Sequence, residues 1–234
     1  MADKALDIDA ARDSLLDAAL DHVAFDGWSE AAFLAAAEDT GIKPDLARVI
    51  CTRGALDLAV AYHRRGDGAM VAALHAADLD KMRFRDKITL AVRLRLERAD
   101  REVVRRGAAV FALPQNAATG AGLIWGTADA IWSTLGDTSD DINWYSKRAT
   151  LSAVYSAVVL FWLGDDSEAC DATWAFLDRR IGDVMQFEKF KAQVRDNPLL
   201  SKILAGPLSV LSHVKAPARA AMDLPGRSRD KETT

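Results

Sequence analysis

Between Leu151 and Leu163 the chain reads LSAVYSAVVLFWL, and apolar side chains (Leu151, Val154, Tyr155, Val158, Val159, Phe161, Trp162) fall on every side of a helical wheel. An amphipathic surface helix keeps a polar face, so a run without one predicts a helix buried all round. A membrane span takes about 20 consecutive apolar residues, and this run is shorter and interrupted by Ser152 and Ser156. The rest of the chain must therefore wrap other helices around it. Gly164 ends the run, and Asp165, Asp166 and Ser167 offer caps to a following helix with Trp174, Leu177, Ile181 and Val184 on one face. The two should form an antiparallel hairpin.

The entry to the central helix is unusual. A polar turn, Asp137 to Asp141, invites helix initiation, and Asn143, Trp144 and Tyr145 then precede Lys147 and Arg148. Trp144 and Arg148 stand four apart and share a face. In one reading both aromatics tuck into the core and the basic pair is solvated. In the other, Trp144, Tyr145 and Arg148 form an exposed patch of the composition that binding hot spots favour.

Upstream, Ile8 to Asp26 reads as a helix ended by Gly27, Ser29 caps a second to about Thr40, and Pro44 opens a third. This is a helix-turn-helix outline. A helix after Gly54 should break at Gly66 and Gly68, with a short helix around Met70 to Leu74. Asp86 to Arg106 reads as one long helix, its basic surplus a solvated face in the preferred reading and a contact for anionic lipid headgroups in the other. Another spans about Ala121 to Leu135, and its glycines fail the dinucleotide fingerprint because no strand precedes them. No window alternates apolar and polar residues long enough for a strand, so the 234-residue chain is expected to be all-α.

Charge separates the function classes. The first 50 residues hold eleven acidic and four basic side chains, whereas Lys81 to Arg106 holds ten basic and four acidic ones. A DNA-reading domain neutralises phosphates with lysine and arginine. The third helix offers only Lys43 and Arg48, which speaks against nucleic acid as a partner. No histidine, cysteine and carboxylate cluster has metal-ligand spacing, and no phosphate loop or nucleophile elbow occurs. The chain is therefore expected to be no enzyme, with no catalytic residue, metal or cofactor. Cys51 and Cys170 are expected as reduced, buried thiols. The acidic N-terminus lacks a signal core, which points to the cytoplasm.

Beyond Phe190, Asn197 and Pro198 can start an amphipathic helix lined by Leu200, Ile203, Leu204, Leu208 and Leu211, with Pro207 interrupting it. Such a segment can dock on its own domain, on a second subunit or on a membrane surface.

The stretches DINWYSKRATLSAVY and FWLGDDSEACDATWAFLDRRIGDVM, with VRLRLE, FALPQN and the Ala130–Asp137 segment, resemble the ubiquinone-biosynthesis accessory family known as coenzyme Q biosynthesis protein nine. The resemblance covers about residues 10–190. It implies the fold of TetR regulators and a non-catalytic protein that binds isoprenoid quinone intermediates in a hydrophobic cavity. Such a protein delivers them to the demethoxyubiquinone hydroxylase. By the same resemblance Trp144, Tyr145 and Arg148 fall on the partner-binding patch, with Ile131 and Trp132 as hydrophobic neighbours. Leu200 to Leu211 takes the place of a membrane-binding helix, so the protein should sit peripherally at the inner membrane. Trp125, Tyr155, Val158 and Trp162 are candidates for the lipid cavity, with core packing as their alternative role.

The expected organisation is a helix-turn-helix-like subdomain over 1–54, a lipid-binding and dimerisation core over 55–195, an amphipathic helix over 196–216 and a flexible tail over 217–234. A homodimer is expected. A TetR-like transcriptional regulator and a dimeric scaffold that binds no lipid are the rival functions.

Overall fold

The structure, a computed structural model, describes residues 7–196, and the regular elements among them are all helical. Local chemistry sets the first three. Helix α1 (Ile8–Asp26) begins where the Asp7 carboxylate accepts hydrogen bonds from the Asp9 and Ala10 amides, and it stops at Gly27, whose φ of 67° a side chain would resist. Ser29 caps α2 (Glu30–Asp39) by accepting from the Ala32 amide, and Pro44 sits in the first turn of α3 (Pro44–Ile50). Leu15, Leu16 and Val23 of α1 pack on Phe33, Ala36 and Ala47, forming a first core that also takes in Leu58, Ala59 and Val103.

Helix α4 (Ala55–Ala76) departs from expectation, running unbroken through Gly66 and Gly68. Gly66 is there because another side chain occupies the space of its Cβ: an atom at that position would lie 2.6 Å from Cζ of Arg95. Arg95, only 3% exposed, donates from Nε to Asp67 at 2.7 Å and from Nη2 to the His63 carbonyl at 3.1 Å. The glycine therefore marks close packing and not a chain break.

The long helix expected over 86–106 is two helices, α5 (Phe84–Glu97) and α6 (Arg101–Phe111). Asp100 divides them by accepting from the Val103 amide, while its own amide donates to the Tyr62 hydroxyl at 3.0 Å. Nor is the basic surplus merely a solvated face. Arg101 and Arg105 donate to the Asp165 and Leu163 carbonyls, each at 2.6 Å, and Arg106 donates to the Ala24 carbonyl at 2.9 Å. Those carbonyls lie at helix ends, where intrahelical donors run out and cations are favoured.

Helix α7 (Ala117–Thr134) starts a turn earlier than expected. Asp141 caps α8 (Ile142–Leu163), and Asp165, beyond Gly164, accepts from the Ser167 and Thr173 amides to organise the entry to α9 (Asp171–Asp196). Helix α8 packs against α7 and α9, and its stripe of Leu151, Val154, Tyr155, Val158 and Trp162 is buried. It is not buried all round, because two packing partners leave one flank open: Leu160 is 69% and Phe161 38% exposed. Phe161 stacks on Phe176 of α9 with ring centres 4.6 Å apart. Met70, Leu74, Ile88, Val92 and Ile131 complete this second core. Cys51 is buried, but Cys170 is only half-buried and its Sγ accepts from Arg101.

Among the described residues no helix is long and apolar enough to cross a membrane. Leu200, Ile203, Leu204, Leu208 and Leu211 lie outside the described residues.

Glycine to alanine in a helix interior normally stabilises by up to about 1 kcal/mol. Gly122→Ala, whose Cβ would meet nothing within 4 Å, should follow that rule in urea denaturation. Gly66→Ala should reverse the sign and destabilise by roughly 1–3 kcal/mol, because the hydrogen-bonded Arg95 guanidinium has to shift.

Candidate functional site

Helices α4, α6, α7 and α8 do not close completely on one another. They enclose a cavity of about 300 Å³ whose wall is mainly apolar, with Trp28, Val103, Phe111, Ile124 and Val159 among its lining. That size lies at the lower end of small-molecule sites, roughly 300–1,000 Å³. Small residues make the room: Gly107 and Ala108 on α6 face Gly120 and Ala121 on α7. Ala112, Ala117, Ala121 and Leu160 line the cavity and are also exposed, so they mark its mouth.

The wall has a polar pole with His63, Arg95 and Tyr155, and Tyr62 and Ser156 also line the cavity. His63 Nε2 lies 2.8 Å from the Thr127 hydroxyl, which is also 3.0 Å from Asp67 Oδ1, the oxygen that accepts from Arg95. Burial outweighs the attraction of Asp67 and lowers the His63 pKa to about 4, so the ring is neutral near pH 7. Burial likewise pushes the Tyr155 phenol up to about 12 and keeps it protonated. Among the described residues no group of three or more His, Cys, Asp or Glu side chains could hold a metal ion.

The lipid candidates separate. Tyr155 lines the cavity, whereas Trp125, Val158 and Trp162 do not. Val158 and Trp162 are core residues, and Arg101 lies over the Trp162 ring at 5.1 Å. Trp125 instead joins the other cluster: its ring centre is 5.9 Å from that of Trp144 and 6.4 Å from that of Tyr145, which meet each other edge-on at 4.8 Å. These three half-buried aromatics form a platform across α7 and α8.

Arg148 is not part of that surface as a free cation. It is 1% exposed, donating to Asp129 at 2.5 Å and to Asp137 at 2.9 Å, with its guanidinium 4.0 Å beneath the Trp144 ring centre. Burial alone would raise the Asp137 carboxyl, but hydrogen bonds from Lys147, Arg148 and Ser139 outweigh it and hold the group well below the usual carboxylate range. Ile131 is fully buried and therefore also lies behind the patch. Trp132 donates to the Lys147 carbonyl at 3.1 Å and lines a separate apolar hollow with Phe84, Leu151 and Ile181.

Trp28, His63, Arg95 and Phe111 are cavity residues that sequence reasoning missed. Arg95 carried a signal, because Ile88, Ala91, Val92, Arg95 and Leu96 follow the spacing of one apolar helix face. A cation on such a face either snorkels or is paired inside.

A family model described as COQ9 matches residues 117–188, from the start of α7 into α9. The chain is 29% identical over 203 residues to the probable ubiquinone biosynthesis protein coq9, mitochondrial, of Dictyostelium discoideum, covering 81% of this chain and 66% of that protein. It is 30% identical over 192 residues to the ubiquinone biosynthesis protein COQ9, mitochondrial, of Drosophila melanogaster, covering 80% and 59%. The chain thus spans less than two thirds of the Drosophila protein and 66% of the Dictyostelium one. In architecture it is similar to the TetR transcriptional regulator from Nitrosomonas europaea, with a TM-score of 0.61 at 19% identity over 74% of this chain and 97% of that one. The all-α, TetR-like fold expected from the sequence is the fold observed.

Two predictions follow from the buried charges. Arg148→Ala leaves Asp137, whose side chain is 2% exposed, facing a lost cation, and should cost roughly 3–5 kcal/mol of stability. An unchanged melting temperature would return Arg148 to the surface. His63 has its folded pKa below the unfolded value of 6.5. Its contribution is therefore fully present above pH 6.5 and is lost as pH falls towards 4, on the order of 2–3 kcal/mol. Comparing urea unfolding of the parent and His63→Gln at pH 7 and pH 4.5 should show a shallower loss in the variant.

Proposed function

We propose that this COQ9-family chain serves ubiquinone biosynthesis as a carrier that catalyses nothing itself, holding an isoprenoid quinone intermediate and presenting it to the demethoxyubiquinone hydroxylase. The observation that carries this reading is the cavity between α4, α6, α7 and α8, apolar along its wall, polar at one pole and open at a mouth of small residues. A polyprenyl quinone is too apolar to cross water unaided, and a cavity that removes part of its surface from water lowers that barrier. The hydroxyl that meets His63, on Thr127, is fully buried and off the cavity wall, and among the described residues no His, Cys, Asp and Glu group could hold a metal ion, an arrangement suited to binding.

The hydroxylase is assigned to the Trp125, Trp144 and Tyr145 platform. Aromatic anchors of this kind dominate interface energetics, and here Arg148 and its two carboxylates brace Trp144 from behind. The segment at residues 196–216 is assigned to the membrane surface. A second copy of the chain is the proposed cover for the Phe161 and Phe176 stack on α8 and α9. Arg48, one of the two cations available to the third helix, is paired with Glu30 and lies over Phe33, so this reading includes no nucleic acid.

The test is mass spectrometry of the organic extract from protein purified out of ubiquinone-making cells. Isoprenoid quinones or their precursors should be enriched over bulk phospholipid, and Ala108→Phe, which fills the cavity, should abolish the enrichment. An extract that mirrors bulk lipid, or one unaffected by Ala108→Phe, would overturn the carrier reading. Separately, Trp144→Ala should weaken hydroxylase binding by at least about tenfold, roughly 1.4 kcal/mol, with a melting temperature close to that of the parent.

A further inference from the structure

The polar pole of the cavity holds a buried phenol whose donor the protein does not use. Tyr155 is 2% exposed and lines the cavity, yet its hydroxyl makes no hydrogen bond to any described residue. The hydroxyl is not among the fully buried polar atoms left without a partner, so it borders the free space of the cavity, where an acceptor that enters can meet it. Its two neighbours at the pole are engaged with the protein. His63 is joined to Thr127, and Arg95 donates to Asp67 and to the His63 carbonyl. The unused donor thus sits at the closed end of an apolar chamber whose other end is the exposed rim of Ala112, Ala117, Ala121 and Leu160.

We infer that the Tyr155 hydroxyl donates a hydrogen bond to a ring oxygen of the ligand, a quinone carbonyl or phenol oxygen, so that the ring lies at the closed pole and the isoprenoid tail runs out past Leu160. This rests on the carrier reading and adds a direction to it. A chamber of about 300 Å³ takes a ring and the first part of a chain but no long polyprenyl tail, so one end of the ligand has to stay outside. The tail is the end that gains least from the pole and most from the exposed leucine at the rim. The neutral His63 and the paired Arg95 leave no free charge to desolvate against a neutral ring, and the protonated phenol supplies a directional contact.

The experiment uses the full chain and two probes, a ubiquinone with a two-unit prenyl tail and a ring-free isoprenoid hydrocarbon of matching length, titrated by tryptophan fluorescence. Tyr155→Phe should weaken the quinone about tenfold and leave the hydrocarbon unchanged. Infrared difference spectra should show a downshifted quinone carbonyl in the parent and not in the variant. Because the lost hydroxyl has no protein partner, the melting temperature should stay level or rise, which separates this effect from unfolding. If Tyr155→Phe changes neither probe or both alike, while Ala108→Phe abolishes binding, the head-inward orientation is wrong and the carrier reading stands. Failure of the parent to bind either probe would overturn both.

Discussion

The guanidinium of Arg95 is where the molecule is pinned. It projects from α5 into the gap left by Gly66 of α4, takes Asp67 and the His63 carbonyl from that helix, and through Asp67 reaches Thr127 of α7. Burying a cation costs several kcal/mol unless a counter-charge and hydrogen bonds replace the lost water. That requirement dictates the neighbourhood: a glycine beneath it, a carboxylate beside it and a hydroxyl to complete the network. The cavity exists because these polar groups hold three helices in place at one end while alanines and glycines leave the space between helices unfilled at the other.

A second buried arginine performs a related task nearer the start of α8. Arg148 fastens Asp129 of α7 and Asp137 of the connecting turn, so the first turn of α8 is held by charge where the apolar stripe of that helix begins. The aromatic platform then rests on a rigid base. This separates two roles that sequence reasoning had merged into one patch: Trp144, Tyr145 and Trp125 present surface, while Arg148 and Ile131 support it from within.

Much of the fold was legible because local signals dominate helix ends. Ser29, Asp141 and the residues after Gly164 cap helices where their side chains suggested. The errors arose where a residue answers to a distant partner. Gly66 reads as a breaker until Arg95 is seen to fill its space, and Asp100 is an unremarkable acid in a charged run until its amide meets Tyr62. Gly120 stands just before the helix expected from about Ala121, yet it lies in α7, where its missing side chain admits Phe111. The site was harder still. Periodicity places Trp125, Tyr155 and Trp162 on helices but cannot say which face meets a void, since a cavity is made by what four separate segments fail to fill. Arg148 illustrates the same limit, standing at the head of the stripe that continues through Leu151, Tyr155, Val158 and Trp162, a position that in hindsight implies burial.

The continuity of α4 has a mechanical meaning. Leu58 and Ala59 near its start belong to the first core, and Met70 and Leu74 near its end belong to the second. Its 22 residues make a rod roughly 33 Å long, and His63 on the cavity wall lies between the two anchorages. A rod clamped in two places is a lever: each degree of tilt imposed at one end displaces the other by about half an ångström. Because one helix enters both cores, the spacing between the three N-terminal helices and the polar pole is set by the length of a single element.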